Sequence, residues 1–198
     1  MHGALDISGD VDIGEFEFLN AAESAQLSTM RVRDNANGFQ GGYRSIAMLN
    51  VGDLAPGFEL QDQHGESVSL EDFDGRHVVL YFYPKAKTGG CTREARAFRD
   101  RFEAFADRDV EVFGVSADPV DLIREFAEEE NLPFRLLSDE DGAVARAYES
   151  LRDSGKAERN TYLIGPNGRI EAVYETVSPD THPDELLNDL DVDDQARP

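Results

Sequence analysis

The sequence predicts an α/β protein with a central β-sheet flanked by helices. Three observations lead there. From Met48 onward, short apolar runs of strand length alternate with segments of helical period. One Asn-Gly pair, in "PNGR", joins two extended stretches as an antiparallel hairpin. The 198 residues suffice for one domain with a substantial core and are short for two.

Extended pieces at Phe58–Gln61 and Ser67–Leu70 flank the turn "DQHGE". His77–Tyr83, "HVVLYFY", is a continuous apolar run of the kind a strand buried on both faces requires. In the helix-like segment that follows, Ala95, Phe98, Phe102 and Phe105 recur at three- and four-residue spacings, so they share one face. Val110–Ser116 reads as a second core strand. Asp118-Pro119 opens another helix, with Val120, Ile123 and Phe126 or Ala127 inward and Asn131 and Pro133 at its end. Phe134–Leu137 is a further strand, Gly142–Tyr148 a short helix, and Thr161–Gly165 with Ile170–Thr176 the hairpin. A last short helix, "HPDELLNDL", precedes an acidic, loose tail.

Residues 1–47 carry scattered "SGD", "DNANG" and "QGGY" with no sustained period, and are expected to be a disordered extension or an artefact of the assigned start, Met48 being the alternative. The expected domain is therefore 48–198. The N-terminus lacks the basic and apolar regions of a secretory signal, and no apolar run is long enough to span a membrane, which predicts a cytoplasmic location. The net charge of −22 repels polyanions, so neither nucleic acid nor an anionic membrane is expected as a partner. The acids are spread along the chain, and Lys85, Lys87 and Lys156 are the only lysines. That composition resembles proteins of salt-loving organisms; an ordinary acidic protein is the alternative.

The single cysteine, Cys91, excludes an intrachain disulfide. It lies in "PKAKTGGCT", between a buried strand and a helix, at the sheet end where open α/β folds place their sites. There the unpaired N–H groups and positive dipole end of a helix favour an anion, and hence a nucleophilic thiolate. Gly89 and Gly90 would let backbone and substrate approach closely. A plain buried hydrophobe is the competing reading of a lone cysteine. "KTGG" reverses the order of a phosphate loop, and His2, His64, His77 and His182 have no metal-ligand spacing.

Pro84, Thr88 and Cys91 match the Pro-x-x-x-Thr-x-x-Cys signature, and "YFYPKAKTGGCTREA" resembles the bacterioferritin-comigratory, or Q-type, branch of the peroxiredoxins. "VGDLAPGFELQDQHGE" and "RNTYLIGPNGRI" are similar to two further blocks of that family, in the same order. The resemblance implies a thioredoxin-like fold with a mixed sheet, and a thiol-dependent peroxidase that needs no cofactor or metal. Cys91 would attack peroxide and become a sulfenic acid. Thr88 would hold the thiolate and the peroxide, Arg159 would stabilise both, Pro84 would shield the pocket, and Glu94 would orient the arginine. Taken singly, Thr88 could be a helix cap, Pro84 a strand end and Arg159 a surface arginine.

Two departures stand out. "CTREAR" puts Arg96 where many branch members carry a resolving cysteine, so an external thiol, either small or thioredoxin-like, is expected to resolve the sulfenic acid. Gly89 stands where proline is usual, which should loosen the loop. A monomer or weak homodimer is expected. A peroxide-sensing relay and a non-catalytic interaction protein of the same fold are the alternative functions.

Overall fold

The computed structural model describes residues 49–196, with side chains described as far as Asp191, and the expectations for residues 1–47 lie outside the described residues. Seven strands form one sheet: β1 (Glu59–Asp62), β2 (Ser67–Ser69), β3 (His77–Phe82), β4 (Val110–Ser116), β5 (Arg135–Ser138), β6 (Thr161–Ile164) and β7 (Ile170–Tyr174). Their order is β2-β1-β5-β4-β3-β6-β7. The central pairs β3–β4 and β4–β5 are parallel, and the flanking pairs β1–β2, β1–β5, β3–β6 and β6–β7 are antiparallel. This is the mixed sheet of a thioredoxin-like fold.

Period-two alternation splits the side chains of β3 and of Tyr83, the residue after it, between two cores. Val79, Tyr81 and Tyr83 pack under α1 (Gly89–Asp100), α2 (Phe102–Ala106), α3 (Val120–Glu130) and α5 (His182–Ala196), against Phe98, Phe105, Ile123, Phe126 and Leu186. Val78, Leu80 and Phe82 pack on the other face, under α4 (Ala143–Ala147), against Phe113, Val115, Tyr148 and Tyr162. Both faces of the central strands are thus covered, which is why those strands read as unbroken apolar runs.

Strand ends agree with the sequence to within one or two residues, and three elements differ. The single helix expected across Ala95–Phe105 breaks at Arg101, whose φ of −115° and ψ of 5° leave the helical region. A break there keeps Phe98 and Phe105 in ring contact, 5.9 Å between centroids, while Phe102 turns to Phe134. The tail read as loose instead continues α5 to Ala196, since neither glycine nor proline occurs between Leu190 and that residue. In the "PNGR" turn only Gly168 takes positive φ, +71°; the Asn167 side chain accepts the Arg169 N–H at 3.1 Å instead.

The topology brings three loops to one end of the sheet. The loop after β3 lies beside the loop after the parallel β4, with the Tyr83 N–H donating to Val115 O at 3.0 Å. The antiparallel β6 begins at that same end, where the Phe82 N–H donates to Asn160 O at 2.8 Å. Residues far apart in sequence, from Pro84–Cys91, Asp118 and Arg159, therefore meet there.

Candidate active site

Cys91 is the third residue of α1, in the turn whose N–H groups have no intrahelical carbonyl, and only 2% of its surface is exposed. Two polar groups reach its sulfur. Thr88 Oγ1 lies 3.0 Å from Sγ, and Arg159 Nη2 lies 3.2 Å from it.

Thr88 occupies the N-cap position with extended backbone, φ −99° and ψ 149°, and its carbonyl accepts the Thr92 N–H at 2.8 Å. Its hydroxyl makes no cap bond, so a cap is not what the side chain supplies. That hydroxyl lies 2.9 Å from Lys85 O as well as near the sulfur. It has one hydrogen to give. Beside a thiolate the hydrogen points to sulfur; beside a thiol, S–H can donate to Oγ1 while the hydroxyl donates to Lys85 O.

Arg159 sits just before β6 and is not a free surface arginine. Its Nη1 donates to Glu94 Oε2 at 2.5 Å, in a charge-assisted pair, while Nη2 faces Cys91. Glu94 stands one turn beyond Cys91 on α1 and is fully buried. Burial pushes its carboxyl up to about 7, against the opposing pull of the Arg159 charge. The pair fixes the guanidinium plane, and Gly90 makes room for it: a Cβ there would stand 2.6 Å from Nη2.

The two glycines differ. A Cβ on Gly89 would meet only Arg93 Nη1, at 3.9 Å, an ordinary contact, so close approach is a requirement at Gly90 alone. Pro84 opens the loop, half-buried, directly after Tyr83, and the polar contacts to sulfur come from Thr88 and Arg159. Arg96, in the slot of the missing second thiol, pairs bidentately with Glu130 of α3, at 2.6 and 3.0 Å.

The structure thus brings Cys91, Thr88, Arg159 and Glu94 into one connected group, with Pro84 at its margin. One participant is absent from the sequence reading. Asp118, taken only as a helix-start signal, turns its carboxylate back to accept the Ala86 N–H at 2.6 Å, and the N-cap of α3 is Pro119. Its signal is an acid two residues past the serine that ends a core strand, at the same sheet end as the cysteine.

Comparison with known proteins agrees with this arrangement. The sequence model of the AhpC/TSA family matches residues 51–173. Peroxiredoxin Bcp of Bacillus subtilis is 41% identical over 149 residues, spanning 72% of this chain and 95% of that protein. Peroxiredoxin Bcp of Escherichia coli K12 is 42% identical over 147 residues, 71% and 94% of the two chains. The crystal structure of peroxidoxin BcpB from Mycobacterium tuberculosis superposes with a TM-score of 0.69 at 37% identity, covering 73% of this chain and 97% of that one. With a lone cysteine held by a threonine and an arginine at the end of this sheet, the chain belongs to the AhpC/TSA family, in the Bcp/PrxQ group of peroxiredoxins, which are thiol-dependent peroxidases.

Proposed function

We propose that this chain reduces hydrogen peroxide and small organic hydroperoxides in a one-cysteine cycle completed by an external thiol. The observation that carries the reading is the convergence of Thr88 Oγ1 and Arg159 Nη2 on Cys91 Sγ in a sequence with no second cysteine. A Xanthomonas campestris bacterioferritin comigratory protein, 30% identical with a TM-score of 0.65, was crystallised in a study of its alkyl peroxide reduction activity, which supports including organic hydroperoxides.

In the first step the Cys91 thiolate attacks one peroxide oxygen. An S–O bond forms as the O–O bond breaks, sulfur loses two electrons, and the other oxygen leaves as hydroxide or alkoxide to be protonated by solvent. Arg159, held by Glu94, places positive charge beside both the thiolate and the developing anion, and Thr88 donates to whichever oxygen or sulfur carries charge. In the second step an external thiol condenses with the sulfenic acid, releasing water and leaving a mixed disulfide; another equivalent of thiol frees Cys91. Arg96 cannot substitute for a resolving thiol, and its pairing with Glu130 supports an outside donor.

The enzyme is further read as cytoplasmic and as a monomer or weak homodimer, and its net charge of −22 supports the absence of a nucleic-acid or anionic-membrane partner. The test is peroxide consumption in molar salt with a panel of small thiols and a thioredoxin, with mass spectrometry of Cys91. Sustained turnover with a sulfenic or mixed-disulfide adduct, lost in Cys91→Ser, is the expected result. Stoichiometric oxidation without turnover under every donor would make the protein a sensor, and no oxidation at all would make it a scaffold.

A further inference from the structure

We propose that Asp118 is a positioning residue for peroxide reduction, acting through the loop that carries Thr88; the proposal rests on the one-cysteine peroxidase reading above. Asp118 is a buried acid, 8% exposed, outside the group that touches sulfur. Its Oδ2 accepts the Ala86 N–H at 2.6 Å and the Ser116 hydroxyl at 3.0 Å. Its backbone is tied down as well. The Asp118 N–H donates to Ser116 Oγ at 3.3 Å, and its carbonyl accepts the Ser138 hydroxyl at 2.8 Å.

Ser116 and Ser138 end the neighbouring parallel strands β4 and β5, so Asp118 is tied to the central strands of the sheet. The segment that it holds contains a strained residue. Lys87 takes a left-handed φ of 59°, a conformation costly for a residue with a Cβ, immediately after the anchored Ala86. Lys85 on the other side supplies the carbonyl 2.9 Å from the Thr88 hydroxyl. The charge-assisted bond at Ala86 therefore sets where Lys85 O and Thr88 Oγ1 lie, and through them the hydrogen directed at Cys91 Sγ. A neutral acceptor of the same shape can keep the bond; losing the acceptor leaves a buried amide unpaired and lets the loop drift.

The experiment measures the second-order rate of Cys91 oxidation by hydrogen peroxide, by quench-flow with trapping of the sulfenic acid, for Asp118→Ala, Asp118→Asn, Thr88→Val and the double variant Asp118→Ala/Thr88→Val. Displacement of the hydroxyl is expected to slow Asp118→Ala by roughly 10- to 100-fold, as misplacement by about 1 Å does. Asp118→Asn should restore most of the rate. The double variant should be no slower than Thr88→Val alone, because both changes remove the same directed hydrogen.

Multiplying losses in the double variant, or a parent-like rate in folded Asp118→Ala, would overturn the proposal. Folding is checked by circular dichroism in the same salt. Should Asp118→Ala fail to fold, Asp118→Ser, whose shorter side chain withdraws the acceptor from the Ala86 N–H but keeps a polar group beside Ser116, takes its place in the cycle with the same criteria. A parent protein whose Cys91 resists peroxide would defeat the peroxidase reading itself, whereas an active parent with multiplying losses defeats only the role of Asp118.

Discussion

Gly90 and Gly89 are adjacent and chemically identical, and the site treats them differently. Alanine at 90 would push its methyl to 2.6 Å from Arg159 Nη2 and force the guanidinium off the sulfur. Alanine at 89 would make an ordinary contact. Both changes add helix propensity, worth up to about 1 kcal/mol, so stability should hold or rise in Gly89→Ala, whereas in Gly90→Ala the displaced guanidinium strains its pair with the buried Glu94 and offsets that gain. Activity should separate them. Peroxide reduction by Gly90→Ala is expected to fall by roughly 10- to 100-fold through lost orientation, while Gly89→Ala stays near the parent. Equal rates for the two, measured with thermal midpoints to confirm folding, would detach Arg159 from the reaction.

Two buried titratable side chains make opposite contributions to the pH dependence of stability. Burial raises Glu94 to about 7, above its value in an unfolded chain, so the folded state holds the extra proton and stability falls as pH rises from about 4.3 through 7. Burial lowers His182 to about 4, against the pull of Glu185, from an ordinary value near 6.5. There the unfolded chain holds the extra proton, so stability is lost as pH falls from about 6.5 toward 4. The windows overlap and the two effects partly cancel in the parent. Glu94→Gln should therefore show a midpoint that climbs more steeply with pH between about 4.5 and 6.5 than the parent's, as the unopposed histidine requires. A difference between variant and parent that is flat across this window would mean that Glu94 ionises normally within the protein.

At the scale of elements, the first turn of α1 is the place where sequence and structure can be compared most closely. The helix, its start and the cysteine in its first turn were legible because glycine, a strand of continuous apolar residues and helical spacing all mark the junction. Arg159 was found only through the resemblance to a family, since the antiparallel placing of β6 that delivers it to the sulfur is a long-range fact no local pattern carries. The place of Asp118 beside the site was missed for the same reason: Asp-Pro does open α3, as its helix-start signal indicates, but the carboxylate's bond to Ala86 spans 32 residues. The break at Arg101 was also illegible, because Ala95, Phe98, Phe102 and Phe105 keep helical spacing straight through it.

That same turn carries a prediction about stiffness. Gly89 is the first helical residue, a position where proline suits both φ and the missing donor, and Thr88 before it already has the extended backbone that a following proline demands. Gly89→Pro should stabilise the protein by about 0.4–1 kcal/mol through the unfolded chain, without slowing peroxide reduction. Calorimetry with a rate measurement tests it; a destabilised variant would mean that the loop needs the freedom that glycine gives.

At the scale of the whole molecule the deciding quantity is charge. Nineteen basic residues face 41 acids. Many described arginines and lysines are already paired, as with Arg76 and Asp109, Arg96 and Glu130, Arg108 and Asp191, or Lys87 between Glu125 and Glu129. Salt weakens those pairs, but exposed pairs are worth only about 0–1 kcal/mol each. It also weakens the repulsion among the unmatched acids, which acts over the whole surface and is relieved only by unfolding or by screening. The second effect should win, and the thermal midpoint should rise with added potassium chloride. Its shape identifies the cause. Screening is nearly complete once the Debye length falls to about 3 Å near 1 M, so a charge-driven rise levels off there, whereas exclusion of salt from apolar surface continues to stabilise beyond it and is stronger for sulfate than for chloride. A midpoint that rises to a plateau, alike in both salts at equal ionic strength, is the outcome expected for this surface; one that is flat, or that falls, would assign the ion pairs the larger share of its stability.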